Sequence, residues 1–329
     1  MTWTPLALKL FVICALLILL IVAIVQWRAG VREAAVEADY PPSGQFVDAL
    51  GTKIHLKVTG QGPDVVLIHG ASGSMRDFTF ALVDALSSDY RVIAVDRPGM
   101  GWSDRPEGFG GVWNTAPEPP RLQAQILQAA TDQIGVHNPI VVGHSFGGTI
   151  ALAWALERPD DTAGLVLLGA ASNPWKGKLG LLYQVNSTAL GSALVIPVLT
   201  AFTPHFYVEK VLGEIFSPQH APQGYMKHFG ADMTLRRGTM RANAQQVNAL
   251  KPFIREMAKH YASLDLPVEI LHGTADFIVP LSVHSEPLST QLPHARLQVM
   301  PGVGHMPHHV APEDLRAAID RVAAQADLR

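Results

Sequence analysis

The sequence predicts an α/β chain: a mostly parallel central sheet with helices on both faces, a helical cap inserted between two of its strands, and an N-terminal transmembrane helix. Three observations carry that reading. From residue 45 onward, short apolar runs alternate with amphipathic stretches, the pattern of strands buried on both faces and separated by helices. The alternation stops near Ala171 and resumes at Pro267. Ahead of it all stands an uncharged apolar run, Leu10–Val25.

The N-terminal run comes first. "LFVICALLILLIVAIV" has no polar side chain, and the stretch from Pro5 to Trp27 adds only Lys9 as a charge. A helix needs about 20 apolar residues to cross a bilayer. Trp3 and Trp27 bracket the run and would sit ~36 Å apart on a helix, matching the two interfaces. A cleaved signal peptide is the competing assignment. Its apolar region is shorter, and the nearest small-residue pattern, Val36–Ala38, lies well past this run. Residues 5–27 are therefore expected to span the membrane once, with the bilayer as a partner. Lys9 and the amino terminus oppose Arg28 and Arg32, so the charge rule does not choose a side for the rest of the chain. Residues 28–42, "RAGVREAAVEADYPP", read as a charged linker closing at Pro41-Pro42.

Bulk properties narrow the function. The formal net charge is −3 over 329 residues, which gives no reason to expect nucleic acid as a partner. The single cysteine, Cys14, lies inside the apolar run, so no internal disulfide, cysteine zinc site or thiol catalysis is expected.

Residues 43–170 form the first part of the core. "QFVDALGTKIHLKVTG" reads as a hairpin turning at Gly51-Thr52, and "DVVLIHG" as a buried strand. "RDFTFALVDALSSDY" reads as an amphipathic helix, "RVIAVDRPG" as a strand and "PRLQAQILQAATDQIG" as a helix. "PIVV" and "GLVLLGA" are further strands, with the helix "TIALAWALER" between them. Residues 171–266 hold Pro, Gly, Met and long apolar helical stretches without a clear strand, and read as the cap. Residues 267–329 complete the core: the strand "PVEILHGTAD", a helix near Val283–Leu292, the strand "ARLQVMPG" and a closing helix from Glu313.

The chemistry gathers at strand ends, where such sheets place their functional residues. In "VVGHSFGGTI" a strand turns sharply into a helix at Ser145, with Gly143, Gly147 and Gly148 giving room. A serine hydroxyl needs a base, normally histidine, oriented by a carboxylate. Asp276 closes "LHGTAD", and His305 lies in "PGVGHMP", each just past a strand. The chain order Ser145, Asp276, His305 is one of the known orders for such a triad. His305, His308 and His309 also invite a metal reading, but no carboxylate or cysteine is spaced with them, so no metal is expected. His69 and His144 read as loop stabilisers, Asp96 as an anchor of the "DRPGMGWSD" turn, and Trp102 as packing.

Five motifs stand in order: "LIHGASGS", "DRPGMGWSD", "GHSFGG", "LHGTADFIVP" and "GVGHMPHHVAPE". With them the chain resembles the α/β-hydrolase fold superfamily, in its capped serine hydrolase, esterase-like branch, over roughly residues 43–327. The resemblance implies Ser145 as nucleophile, His305 as general acid/base and Asp276 as the orienting acid. It implies the backbone N–H groups of Ala71 and Phe146 as oxyanion donors, and no cofactor. Many relatives carry a glutamate shortly after the catalytic histidine, where Val310 stands here; that residue is outside the triad. The expected substrate is a small ester or other acyl compound. A serine nucleophile argues against haloalkane dehalogenase and epoxide hydrolase chemistry. The same triad also supports carbon–carbon bond hydrolysis, acyl transfer and cofactor-free perhydrolysis, and a hydrolase frame can serve as a binding or scaffolding protein. Within the cap, the apolar stretch Leu179–Phe202 reads either as cap–core packing or as the wall of a lipophilic acyl pocket.

Overall fold

A computed structural model describes residues Pro5–Arg329; Trp3 lies outside the described residues. The first element, α1, is a single helix over Pro5–Asp39. A hairpin follows, β1 (Gln45–Ala49) and β2 (Thr52–Thr59). Its turn is Leu50-Gly51, with φ of 53° and 74°, one residue earlier than the sequence reading placed it. Gly51 supplies the left-handed conformation such a two-residue turn needs.

The core then alternates. β3 (Asp64–Ile68) leads through two short helices, α2 (Arg76–Thr79) and α3 (Leu82–Leu86), to β4 (Arg91–Val95). The single helix expected over 76–90 is thus broken, because Ala81 takes a non-helical φ of −151°. α4 (Pro120–Asp132), β5 (Ile140–His144), α5 (Phe146–Glu157) and β6 (Gly164–Leu168) follow. Between β6 and the next strand the described residues are helical or irregular: α6 (Leu181–Asn186), a π-helical segment Gly191–Val195, α7 (Ile196–Phe202), α8 (His205–Ile215), α9 (Tyr225–Phe229), α10 (Arg237–Asn248) and α11 (Leu250–Met257). The chain closes with β7 (Val268–Gly273), α12 (Ser285–Gln291), β8 (Ala295–Met300), α13 (Pro307–Val310) and α14 (Pro312–Gln325).

The eight strands lie in the order β1-β2-β4-β3-β5-β6-β7-β8. β2 runs antiparallel to β1 and to β4; every other pairing is parallel. Alternate strand residues face opposite layers. Val66, Ile93, Val141 and Leu167 pack with α4 and α5. Val65, Val92, Val142 and Leu168 pack with α3 and α14. That two-sided burial is why the strands read as continuous apolar runs. The order reverses between β3 and β5, and a crevice opens at such a switch point beyond the carboxyl ends of the strands.

α1 corrects the expected linker at residues 28–42. The helix runs without a break to Asp39, and its second half is docked on the cap. Ala29 and Val36 are buried. Arg28 Nε donates to the Ala201 carbonyl at 2.9 Å. Glu33 pairs with Arg237 at 2.6 Å, Glu37 with Arg236 at 3.0 Å, and Arg32 with Asp232 at 3.2 Å. The first half differs: none of its 18 most apolar residues is buried.

Candidate active site

Ser145 sits at the junction of β5 and α5 with φ 53° and ψ −117°. A non-glycine residue held there stores of order 1–3 kcal/mol of strain. The neighbouring glycines are required by contact. A Cβ on Gly147 would lie 2.0 Å from the Ile68 carbonyl, and one on Gly143 would lie 2.5 Å from the Gly147 carbonyl. The Ser145 N–H donates to the Leu168 carbonyl at 2.9 Å, which pins the elbow to the end of β6.

Asp276 and His305 meet beside that elbow. His305 Nδ1 lies 2.7 Å from Asp276 Oδ2. The other carboxylate oxygen accepts the N–H groups of Ile278 and Val279, both at 2.9 Å. Burial raises the Asp276 carboxyl, but hydrogen bonds from His272 and His305 outweigh it and hold the group well below the usual carboxylate range. An ionised Asp276 fixes the proton of His305 on Nδ1, leaving Nε2 with its lone pair. A Cβ on Gly169, the residue after Leu168, would stand 3.2 Å from Asp276 Oδ2 and 3.4 Å from His305 Nδ1. The pair therefore abuts the same strand end that holds Ser145. No hydrogen bond joins the Ser145 hydroxyl to His305 among the described residues. Such contacts commonly close only when substrate binds.

Ala71 and Phe146 lie where the sequence placed them, after β3 and at the first position of α5. First-turn N–H groups have no partner within their helix. The loop before Ala71 is held from below by Arg97, which is fully buried. Arg97 donates to the carbonyls of His69 (3.0 Å) and Gly70 (3.1 Å) and lies 4.4 Å from the centre of the Phe146 ring. Burial lowers its pKa to about 9. His69 accepts the Arg97 N–H on Nε2 at 3.0 Å, and its Nδ1 bonds the Gly70 carbonyl at 2.9 Å. Burial lowers its pKa to about 4, so the ring is neutral and structural. Asp96 anchors its turn as expected, accepting the N–H groups of Met75 (2.7 Å) and Trp102 (2.9 Å).

A second carboxylate was missed by the sequence reading. Asp77, on α2, is buried against His308 Nε2 at 3.1 Å, His309 Nε2 at 2.8 Å and the Tyr225 hydroxyl at 2.8 Å. The expectation that no carboxylate joins these histidines is thus corrected; α2 brings one from far along the chain. The three side chains could offer ligand atoms to a metal, all within 4.8 Å of one another. The Nε2 of each histidine is close enough to hydrogen-bond a carboxylate oxygen of Asp77, while the buried Nδ1 of His308 has no partner among the described residues. His144 links this knot to the site: its Nε2 donates to the His305 carbonyl at 2.9 Å.

An apolar cavity of about 380 Å³ lies between α6, α7, α8 and α10. Leu182, Leu199, Val208 and Val211 line it, together with Ser72, next to Ala71, and Asn243, which are bonded to each other at 2.8 Å. A larger crevice of about 500 Å³ is charged, lined by Glu33, Lys53, Arg105 and Arg236; Ser145, Asp276 and His305 line neither cavity.

A family model for the alpha/beta hydrolase fold matches residues 63–312. The chain belongs to that family. This hydrolase is 27% identical to haloalkane dehalogenase 2 of Mycobacterium tuberculosis, over 85% of this chain and 94% of that protein. It is 27% identical to the 2-hydroxymuconate semialdehyde hydrolase of Pseudomonas putida, over 87% and 96% of the two chains. Among solved structures it resembles the esterase RhEst1 from Rhodococcus sp. ECU1013, with a TM-score of 0.65 and 26% identity over 84% of this chain and 98% of that one.

Proposed function

We propose that this hydrolase is a serine esterase-like enzyme held on a membrane by α1, cleaving an ester or related acyl bond through Ser145, His305 and Asp276. The observation that carries the reading is the Asp276–His305 pair, 2.7 Å apart at the strand end that also pins Ser145. Ser145 attacks the carbonyl carbon. His305 Nε2 takes the hydroxyl proton and returns it to the leaving group, and Asp276 stabilises the imidazolium. The backbone N–H groups of Ala71 and Phe146 hold the oxyanion, worth ~3–4 kcal/mol each. Water then hydrolyses the acyl-enzyme with His305 as base.

Dehalogenation, the chemistry in one relative's name, is disfavoured. An alkoxide displacing a halide leaves an ether on Ser145 that water cannot turn over, whereas an acyl ester on serine hydrolyses. The semialdehyde hydrolase supports a second reading, carbon–carbon bond hydrolysis on the same triad. The cavity argues for a neutral substrate instead: its walls contain no Lys or Arg to pair an anion. The helix α1 supports the anchor through its exposed apolar first half. The test is hydrolysis of p-nitrophenyl esters by the full chain in detergent, alongside vinylogous 1,5-diketones. Ester turnover that exceeds diketone turnover is expected; the reverse order would favour the second reading.

A further inference from the structure

The cap carries an apolar face that packing within the chain does not explain. Between Lys178 and Glu209 the sequence has no Asp, Glu, Lys or Arg. Leu190, Leu194, Val198 and Phe202 recur every four residues and are 66%, 57%, 45% and 49% exposed. The opposite side of the same segment, Ser192, Ile196 and Thr200, is buried. α8 turns away from this segment by 102° and extends the face with exposed Phe206, Tyr207 and Val211. So continuous an apolar patch on a folded chain marks a contact surface.

Its position names the partner. α7 crosses α1 where the apolar half of α1 ends. Gln26 shares a crevice with Ser192, Ala193 and Pro197. Arg28 bonds the Ala201 carbonyl, and its guanidinium lies 5.1 Å from the Phe202 ring centre. Arg32 bonds the Thr203 carbonyl. The segment from Ser192 to Thr203 thus meets α1 along Gln26 to Arg32, at the level where the first charges follow the span.

We propose that this cap face rests in the interfacial layer of the bilayer beside α1, and that the 380 Å³ cavity opens through it to admit an ester substrate from the lipid phase. The proposal rests on the anchored serine hydrolase reading above. The cavity supplies the route: Leu182, Tyr207 and Val211 line it and also belong to the exposed apolar surface. Ser72, in its wall, is the chain neighbour of the proposed oxyanion donor Ala71. An acyl chain can then leave the bilayer and lie along apolar walls, with its ester carried toward Ser72 and the neighbouring Ala71. An apolar face of this kind gains affinity with the apolar area it buries in the membrane.

The test uses the full chain reconstituted in phosphatidylcholine vesicles, with p-nitrophenyl laurate in the vesicles and p-nitrophenyl acetate in the buffer. Leu194→Glu with Phe206→Glu changes the face but not the cavity wall. Laurate hydrolysis should fall about tenfold while acetate hydrolysis stays within twofold. Equal effects on the two substrates, with the protein still in the carbonate-washed pellet, would defeat the portal and leave the anchor standing. Release of the unaltered chain by carbonate would defeat the anchor, and the portal with it. A bimane label on Leu194→Cys, in a Cys14→Ser background, reads the contact without relying on activity. Quenching by nitroxide-bearing lipids is expected; a label that such lipids leave bright overturns the proposal.

Discussion

Asp276 and Asp77 are both buried carboxylates, and both are gripped by histidines from the stretch His305–His309. On the proposed mechanism only Asp276 takes part in chemistry. Asp276 holds His305 by a single ring nitrogen and spends its other oxygen on the backbone of its own loop. That leaves the second nitrogen of His305 for a proton. Asp77 collects His308, His309 and Tyr225 from two parts of the chain, and α9 of the cap is one of them. It ties the cap to the loop that carries His305. A carboxylate–histidine contact is therefore not a catalytic signature in itself. Its place relative to a strand end and an elbow decides.

Breaking the first cluster should cost the most activity. Ser145→Ala should lower kcat by about 10⁴–10⁶, the scale seen when a triad nucleophile is removed, with circular dichroism unchanged. Asp276→Asn should follow with a fall of about 10⁴, because the amide favours the wrong tautomer of His305. Activity within tenfold of the parent for either variant would place the site elsewhere.

The second cluster should answer in stability. Burial alone would raise the Asp77 carboxyl, but the His308 and His309 contacts hold it well below the usual range. Asp77→Asn removes a buried anion from its donors and should cost about 3 kcal/mol of unfolding free energy, while kcat falls less than tenfold. Tyr225→Phe removes one donor and should cost about 1 kcal/mol. Urea midpoints in detergent, read beside ester turnover, separate the two quantities. A large loss of kcat in Asp77→Asn with unchanged stability would make the two clusters functionally alike.

Acid provides a further contrast. Burial first, and then neighbouring positive charge, lowers His69 and His284 to about 4. Each stays neutral in the fold but takes a proton when unfolded, near 6.5. Their contribution is complete above that value and is lost as pH falls toward 4. The depressed carboxylates Asp276 and Asp77 act lower, their stabilisation fading only below the ordinary carboxylate range. Unfolding midpoints should therefore decline steadily from pH 7 to 4. A midpoint flat over that interval would contradict the neutral, buried state of these rings.

The sheet and the elbow were legible because their signals are local. β5 and β6 announce themselves as uninterrupted apolar runs, and Gly143 and Gly147 flank a serine that only a tight turn explains. Asp276 and His305 were legible through their strand ends. What escaped depends on distant partners. The "RAGVREAAVEAD" stretch looks solvated until Arg236, Arg237 and Asp232 are brought against it by the cap. Its buried positions, Ala29 and Val36, do sit seven residues apart, a helical repeat hidden among charges. Asp77 looks like a surface residue of an amphipathic helix, and its histidines follow some 230 positions later. Arg97 was overshadowed by the aspartate before it, and nothing local shows that it supports the loop before Ala71.

The most direct measurement is site mapping with a fluorophosphonate probe on the full chain in detergent. Labelled protein is digested and the modified residue is found by mass spectrometry, for the parent and for His305→Ala. The account predicts one adduct, on Ser145, formed by the parent and strongly slowed in His305→Ala. An adduct on another residue, or equal labelling of Ser145 without His305, would contradict it.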